Sequence, residues 1–406
     1  MTEIPLETEL LFNPFEPGFT DDPYPTYRRM RETDPVHEHP FGLWILTGYE
    51  EVAQVLRSDL SVDVGRVTSG AFREQSDELA SSGLDVLTLS MLDRDPPDHT
   101  RLRSLVAKVF TPRKVSALEP EVTELVDAAL DEIAEAGRAD LVPALAFPLP
   151  FTVISRMLGM PPTDSERVRE LSGLLVRSLE PVNGPEMLAS IAEAGVEMTA
   201  IIRELIAWKR KRPANDLLSS LIMAEHEGSR LTDDELVAQV TLLYVAGHET
   251  TVNLIANGVV ALLRAPEQLA MLRERPDLAD NAVEEFLRYD SPVQQTRRVT
   301  TRPYTVRDRE IPPGTFVVAA LASANRDENY WGPDADRLRI DRDNARAHVS
   351  FSVGRHHCLG SALARLEGRV AIERLVRRFP GLAPDGEVEW NGRINLRGPE
   401  RLPISV

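Results

Sequence analysis

Hydrophobic positions recur with a helical period over most of this chain. Two stretches alternate instead between hydrophobic and polar positions, and each predicts a strand pair. The first is residues 35–47 around Phe41-Gly42, and the second is residues 304–306 with 315–321 around Pro312-Pro313-Gly314. We also expect strands from before residue 50 and after residue 300 to pair. Helices are predicted at residues 49–57, 97–109, 115–135, 151–158, 185–211, 232–264, 278–289 and 358–379. The pattern indicates one mainly α domain, residues 1–406, with small β-sheets.

The longest predicted helix, 232–264, begins at a capping box of Thr232 and Glu235 and is apolar on every face, which is typical of a buried helix. Its middle, residues 246–251, reads Ala-Gly-His-Glu-Thr-Thr. Glycine weakens a helix by about 1 kcal/mol, paired threonines can bend it, and a buried acid is unfavourable unless it is paired. We interpret these residues as a site where a local opening admits a diatomic ligand and water, Thr250 presents a hydroxyl and Glu249 relays protons. A kinked helix with satisfied threonines is the alternative.

Composition narrows the class of protein. Hydrophobic residues make up 42% of the chain and charged residues 27%, as in an ordinary globular protein. No apolar run reaches the 18 or more residues of a membrane span, and the acidic start lacks the order of a signal peptide. With one cysteine, these features predict a cytoplasmic protein without a membrane anchor. The net charge of −18 argues against general nucleic-acid binding.

The one cysteine lies in Phe351-Ser352-Val353-Gly354-Arg355-His356-His357-Cys358-Leu359-Gly360. A lone thiol cannot form an intramolecular disulfide or a multi-cysteine metal site. Gly354 and Gly360 allow a tight turn close to a flat partner, and the helix start after Cys358 favours thiolate over thiol. His356 could meet an anionic group of the same ligand. These features suggest an axial ligand to a haem iron, while a small buried hydrophobic side chain is the alternative.

Residues 351–360 resemble the cysteine loop of the cytochrome P450 monooxygenases of the soluble bacterial kind, whose pattern is Phe-Gly-x-Gly-x-His/Arg-x-Cys-x-Gly. Ser352 stands in place of one glycine, which restricts the backbone but removes no ligand. The resemblance extends from Asp22-Pro-Tyr-Pro-Thr-Tyr to Leu402-Pro-Ile. It implies the cytochrome P450 fold, a triangular helical prism around a buried haem b. The subgroup includes actinobacterial hydroxylases of macrolides and other secondary metabolites.

The resemblance also implies roles for individual residues. Cys358 is the expected iron ligand, in a loop shaped by Phe351, Gly354 and Gly360. Ala246 and Gly247 would lie flat against the haem, and Glu249 with Thr250 forms the family's acid–alcohol pair. The expected partners of the two haem carboxylates are His99, Arg103, Arg298 and His356.

A second matching pair is Glu285 and Arg288, the family's Glu-x-x-Arg. It implies a buried structural network, with Arg339 or Arg342 as a possible third member, and no catalytic role.

Substrate contacts are implied in four regions, namely loop 61–91, the helix face at Leu242, segment 293–295 and the C-terminal turn. Asp85 is the one charged residue between Ser81 and Met91, which favours a mainly apolar substrate oriented by few polar groups. Plain core positions are the alternative. The candidate pocket residues are Leu87, Leu89, Leu242, Val245, Val293, Gln294 and Leu396.

The leading hypothesis is a haem-thiolate monooxygenase that uses O2 to hydroxylate or epoxidise a macrolide, polyketide, terpenoid or steroid. We expect a monomer that receives electrons from a separate ferredoxin and an NAD(P)H-dependent ferredoxin reductase. A peroxide-driven or oxidative-coupling enzyme and a haem sensor without turnover are the alternatives. One run of basic residues is either a solvated helix face or a docking patch for an acidic redox protein: Arg101, Arg103, Lys108, Arg113 and Lys114.

Overall fold

Helices account for most of this computed structural model, which describes residues 11–68, 86–161, 165–180, 184–224 and 228–406. Within these ranges the helices are α1 Tyr24–Thr33, α2 Tyr49–Arg57, α3 Asp98–Val109, α4 Pro112–Ser116, α5 Glu119–Ala136, α6 Pro148–Leu158, α7 Ser165–Val176, α8 Pro185–Lys211, α9 Leu217–Met223, α10 Asp233–Arg264, α11 Pro266–Glu274, α12 Ala279–Tyr289, α13 Leu321–Ala324, α14 Glu328–Trp331 and α15 Ser361–Arg378. The strands are β1 Val36–Glu38, β2 Leu43–Leu46, β3 Arg138–Asp140, β4 Thr296–Val299, β5 Tyr304–Val306, β6 Arg309–Ile311, β7 Phe316–Ala319, β8 Ala383–Pro384, β9 Glu389–Trp390, β10 Pro399–Arg401 and β11 Pro403–Ser405.

The largest sheet joins the two ends of the sequence, in the order β1-β2-β7-β4. Strands β1 and β2 form the predicted hairpin, and β2 runs parallel to β7 with Leu43 opposite Phe316. Strand β4 pairs antiparallel with β7, which places Arg298 opposite Val317. The predicted pairing of early and late strands is therefore confirmed.

The predicted pairing of residues 304–306 with 315–321 is wrong. Strand β5 pairs instead with β6, through a tight turn in which Arg307 has a φ of 53°. Strand β7 cannot accept β5 because β2 and β4 occupy its two edges.

Helix α10 crosses the main hydrophobic core, and α6, α7, α8, α12 and α15 pack around it. The predicted capping box is present, because the Thr232 side chain accepts from the Glu235 N–H and the Glu235 carboxylate accepts from the Thr232 N–H. Most of the residues of α10 are buried, as its all-round hydrophobicity predicts.

Six helices were not predicted from the sequence, namely α1, α7, α9, α11, α13 and α14. Helix α1 is fully buried at Tyr27 and Met30 only, which is too few positions to give a clear period. The predicted helix 115–135 is two helices, α4 and α5, with Pro120 in the first turn of the second, where its missing N–H is not needed.

The Glu285 carboxylate and the Arg288 guanidinium form a fully buried pair, with N···O distances of 2.7 and 2.8 Å. Arg288 also donates to the carbonyls of Asn325 and Ala335. The third side chain is Arg342, whose Nε lies 3.2 Å from Glu285 Oε2. The network ties α12 to segment 325–342.

Candidate active site

The cysteine loop, residues 351–360, leads into α15 and holds Cys358 just before that helix begins. The Cys358 N–H donates to the Phe351 carbonyl at 2.8 Å. Gly354 has a φ of 75°, and a Cβ there would lie 3.0 Å from the Leu56 carbonyl oxygen, so this position requires glycine. Ser352 has a φ of 56°, so serine adopts a left-handed conformation where the resembled pattern has glycine.

Cys358 opens onto a cavity of about 880 Å³ between its loop and α10. Desolvation by the surrounding protein raises the pKa of the Cys358 thiol, although the N–H groups of Gly360 and Ser361 and the charge of Arg103 act in the opposite direction. The helix start favours the thiolate, as expected, but desolvation outweighs this effect. A bound metal ion would supply the missing stabilisation, since a coordinating thiol is deprotonated outright.

The four predicted carboxylate partners meet at one side of this cavity, because α3, β4 and the cysteine loop converge there. The rings of His99 and His356 lie 4.2 Å apart between centroids. Arg103 Nη2 donates to the His357 carbonyl at 2.6 Å. Arg298 Nη1 donates to the carbonyl of its neighbour Arg297.

These groups cannot satisfy one another. Desolvation, together with nearby charged groups, lowers the pKa of His99 to about 4 and that of His356 to about 3. Desolvation also lowers the pKa of Arg298 to about 10. Among the described residues, His99 Nε2, His356 Nε2 and Arg298 Nη2 are buried without a hydrogen-bond partner. An anionic ligand would satisfy these donors.

The opposite wall of the cavity is formed by Ala246, Gly247 and Thr250 of α10. A Cβ added to Gly247 would find no atom within 4 Å, so a flat ligand has room beside it. Thr250 Oγ1 donates to the Ala246 carbonyl at 2.9 Å, and Thr251 Oγ1 donates to the Gly247 carbonyl at 3.0 Å. Helix α10 continues through these residues, so the expected local opening is not found; both hydroxyls bond within the helix.

Glu249 points away from the cavity and pairs with Arg393 of the C-terminal segment. Both side chains are about 11% exposed. Desolvation raises the pKa of the Glu249 carboxyl, and the charge of Arg393 opposes that rise. Arg393 was not anticipated from the sequence, since 144 residues separate the partners.

Three of the seven candidate substrate residues line the cavity, namely Leu242, Val293 and Leu396. The others lie outside its lining. Val245 packs in the main core, and Gln294 is fully buried with its amide donating to the Ser291 carbonyl at 2.7 Å.

Leu87 and Leu89 are partly buried beside α10, also outside the lining. Their neighbours Met91 and Leu92 line the cavity instead. Residues 69–85 of the predicted substrate loop lie outside the described residues, Asp85 among them.

Several cavity residues had no signal in the sequence. Phe12, Phe15 and Phe41 come from the N-terminal segment and the first hairpin. Glu180 and Ile394 come from segments that the fold brings together.

The predicted basic run is divided in the structure. Arg101 forms an ion pair with Glu235, and Arg103 turns toward the cavity. Lys108, Arg113 and Lys114 are exposed.

The residues present fit a haem. A sulfur ligand lies at one wall, a helix surface with free space at the other, and buried nitrogen donors without partners at the edge. Thiolate, flat apolar contact and carboxylate partners are the three requirements of a haem-thiolate site. These features together define the class of haem-thiolate proteins.

Comparisons with known proteins lead to the same class of protein. Residues 187–392 match the family model of Cytochrome P450. The chain is 42% identical over 401 residues to Cytochrome P450 107B1 of Saccharopolyspora erythraea, covering 96% of each chain. It is 42% identical over 397 residues to Cytochrome P450 monooxygenase PikC of Streptomyces venezuelae, covering 95% of this chain and 91% of the relative. The crystal structure of P450BioI in complex with an acyl carrier protein bearing hexadec-9Z-enoic acid superposes with a TM-score of 0.88 at 35% identity, covering 95% of this chain and 98% of that one.

The chain belongs to the cytochrome P450 family. The predicted fold and the predicted class, a cytochrome P450 monooxygenase, are confirmed, and the family implies a haem cofactor and, in bacteria, redox partners. Among the helices of the described ranges, none has the length and apolar run that crossing a bilayer requires.

Proposed function

We propose that this protein binds haem b through Cys358 and inserts one oxygen atom of O2 into a mainly apolar small molecule, by hydroxylation or epoxidation. The observation that carries the proposal is one cavity onto which Cys358, Thr250 and the apolar side chains of Leu242, Val293 and Leu396 all open. Bound there, the haem supplies O2 activation, and its thiolate ligand favours O–O cleavage.

Thr250 and Glu249 are the proposed proton carriers. The Thr250 hydroxyl donates to Ala246 but lies on the cavity wall, so rotation about its side-chain bond would direct it to a ligand. The raised pKa of Glu249 brings this acid closer to neutral pH, where proton transfer is most effective. The Glu249 carboxylate would take up a proton from solvent and, by turning from Arg393 toward Thr250, would deliver it to replace the proton that the Thr250 hydroxyl has given up.

The proposed substrate is a neutral polyketide, macrolide, terpenoid or steroid. The cavity wall is mostly apolar, and Ser178, Gln295 and Asn395 offer a few neutral polar groups for orientation. Its volume of about 880 Å³ lies in the upper range of ligand sites, as a large substrate beside a haem requires.

The proposed electron donor is an acidic ferredoxin served by an NAD(P)H-dependent reductase. The exposed cations Lys108, Arg113 and Lys114 support this choice, because a local positive patch steers an acidic partner even on a chain with a net charge of −18.

The test is reconstitution with a ferredoxin and its reductase, after a spin-state titration against steroids, macrolides and fatty acids identifies a ligand. We expect product that depends on NAD(P)H and O2. Product with peroxide alone would favour a peroxide-driven enzyme, and ligand binding without turnover would favour a sensor.

Variants test the assigned residues. Thr250→Ala should lower product formed per NAD(P)H consumed by about tenfold or more, within the range of a lost proton carrier. Thr241→Ala is the matched control, since Thr241 is buried in the same helix but outside the cavity lining. Cys358→Ser should abolish the red-shifted Soret band of the carbonyl complex; a serine variant that keeps this band contradicts the ligand assignment.

A further inference from the structure

Glu180 holds a turn of the C-terminal segment by its backbone. Its carboxylate, in a residue only 8% exposed, accepts hydrogen bonds from three consecutive N–H groups. The distances are 2.8 Å from Ile394, 3.0 Å from Asn395 and 3.1 Å from Leu396. The Asn395 amide donates back to the Leu179 carbonyl at 2.9 Å. The turn, residues 393–396, is therefore fixed to the end of segment 177–180.

The first residue of this turn is Arg393, which donates through Nη1 to Glu249. Its backbone N–H is held by the Asn391 side chain at 3.1 Å. Arg393 Nε is buried and has no partner among the described residues. Two contacts therefore fix the position of the Arg393 guanidinium. Its backbone is held by the turn, and its Nη1 donates to Glu249.

The other residues of the same turn lie at the cavity. Ile394, Asn395 and Leu396 line the cavity, and so does Glu180. Three residues of this turn thus line the cavity, and the fourth, Arg393, contacts Glu249 of α10.

We propose that Arg393 is a positioning residue for Glu249 and that Glu180 acts through Arg393 by fixing the turn 393–396. The inference rests on the proposed role of Glu249 in proton delivery. Through these contacts, the fit of the substrate against the turn determines the orientation of the Glu249 carboxyl group. A substrate that moves the turn also moves Arg393.

Other charged groups also act on Glu249. Arg177, three residues before Glu180 in the chain, favours the ionised carboxylate, while Glu400 of β10 disfavours it. His248, the preceding residue on α10, is fully buried against Phe147 and Phe151. Arg393 is the cation bonded directly to the carboxylate, so its loss should have the largest effect.

The first experiment is the pH profile of coupling, the product formed per NAD(P)H consumed. Arg393→Gln should move the apparent pKa of this profile upward by roughly one to two pH units, the equivalent of one charge-assisted hydrogen bond. Arg393→Lys should restore part of the shift. Glu180→Gln should shift the profile in the same direction, and the double variant should match Arg393→Gln alone, because Glu180 acts only through Arg393.

The second experiment needs no turnover. Hydrogen–deuterium exchange of the peptide containing residues 393–396 should accelerate by about tenfold or more in Glu180→Gln, since charge-assisted bonds are lost there. Glu389→Gln is the control, because this exposed carboxylate of β9 pairs with Arg401 on the same hairpin. It should change neither exchange at the turn nor the profile.

Each outcome decides the matter. If Glu249→Gln leaves coupling unchanged, both the proton-delivery role and this inference are overturned. If Glu249→Gln uncouples the enzyme while Arg393→Gln and Arg393→Lys keep the parent profile, the inference alone fails. Additive shifts in the double variant would show that Glu180 acts by another route and would overturn the link.

Discussion

Arg298 offers the sharpest test of the cofactor site, because its replacement should change two quantities in opposite directions. The residue is only 2% exposed, and its Nη2 has no partner among the described residues. Burying such a donor without a partner costs about 1–3 kcal/mol. Arg298→Met keeps an unbranched apolar stem and removes the charge. We therefore expect the apoprotein to gain about 1–3 kcal/mol in the free energy of unfolding.

The haem-bound protein should respond in the opposite way. A charge-assisted bond to a carboxylate contributes about 1.5–3 kcal/mol, so haem should leave Arg298→Met about 10 to 150 times faster. Urea unfolding of the apoprotein and haem transfer to apomyoglobin measure the two effects.

The control is Arg302→Met, on the segment after β4. Arg302 forms an exposed pair with Asp59, and such a pair contributes at most about 1 kcal/mol. It should therefore alter neither quantity much. If Arg298→Met destabilises the apoprotein and releases haem no faster than the control, Arg298 serves packing and the carboxylate assignment is refuted.

Two further variants test buried carboxylates by urea unfolding. Glu285→Gln should lower the free energy of unfolding by about 3–5 kcal/mol, because it leaves the buried guanidinium of Arg288 without its counter-charge; Glu170→Gln, in an exposed pair, should change it by less than about 0.5 kcal/mol, and equal effects would contradict a buried network. Glu367 is 1% exposed, and desolvation raises its pKa from 4.5 to about 8. Because folding favours its neutral form, its stabilising contribution is complete below pH 4.5 and is lost as the pH rises toward 8. The free energy of unfolding of Glu367→Gln should therefore rise relative to that of the parent between pH 5 and pH 8, by up to roughly 1.4 kcal/mol for each pH unit in this range. If the two free energies differ by the same amount at every pH, Glu367 is ionised in the folded protein.

The basic run in residues 101–114 illustrates how a cluster of charges in the sequence divides in the fold. Arg101 is bound by Glu235 and Arg103 faces the cavity, because a helix presents neighbouring residues on different faces. The three remaining cations, Lys108, Arg113 and Lys114, are exposed.

The sequence alone determined the features that depend on neighbouring residues. Helices α2 and α8 begin and end where predicted, and the capping box of α10 formed as expected, because these signals act within a few residues. The cysteine loop was identifiable for the same reason, since its glycines and its thiol lie within ten residues.

Only the tertiary structure decided which distant groups meet. Strand β7 pairs with β2 and β4 and not with β5. The alternation of polar and apolar residues within a strand does not specify which strand it pairs with. The turn that bears Arg393 meets Glu249 and Glu180 across separations of 144 and about 214 residues. The same is true of the pKa of Cys358, where desolvation by the assembled core outweighs the local helix start. Local patterns identified the candidate site residues, and packing determined their partners, because burial and charge pairing depend on the whole fold.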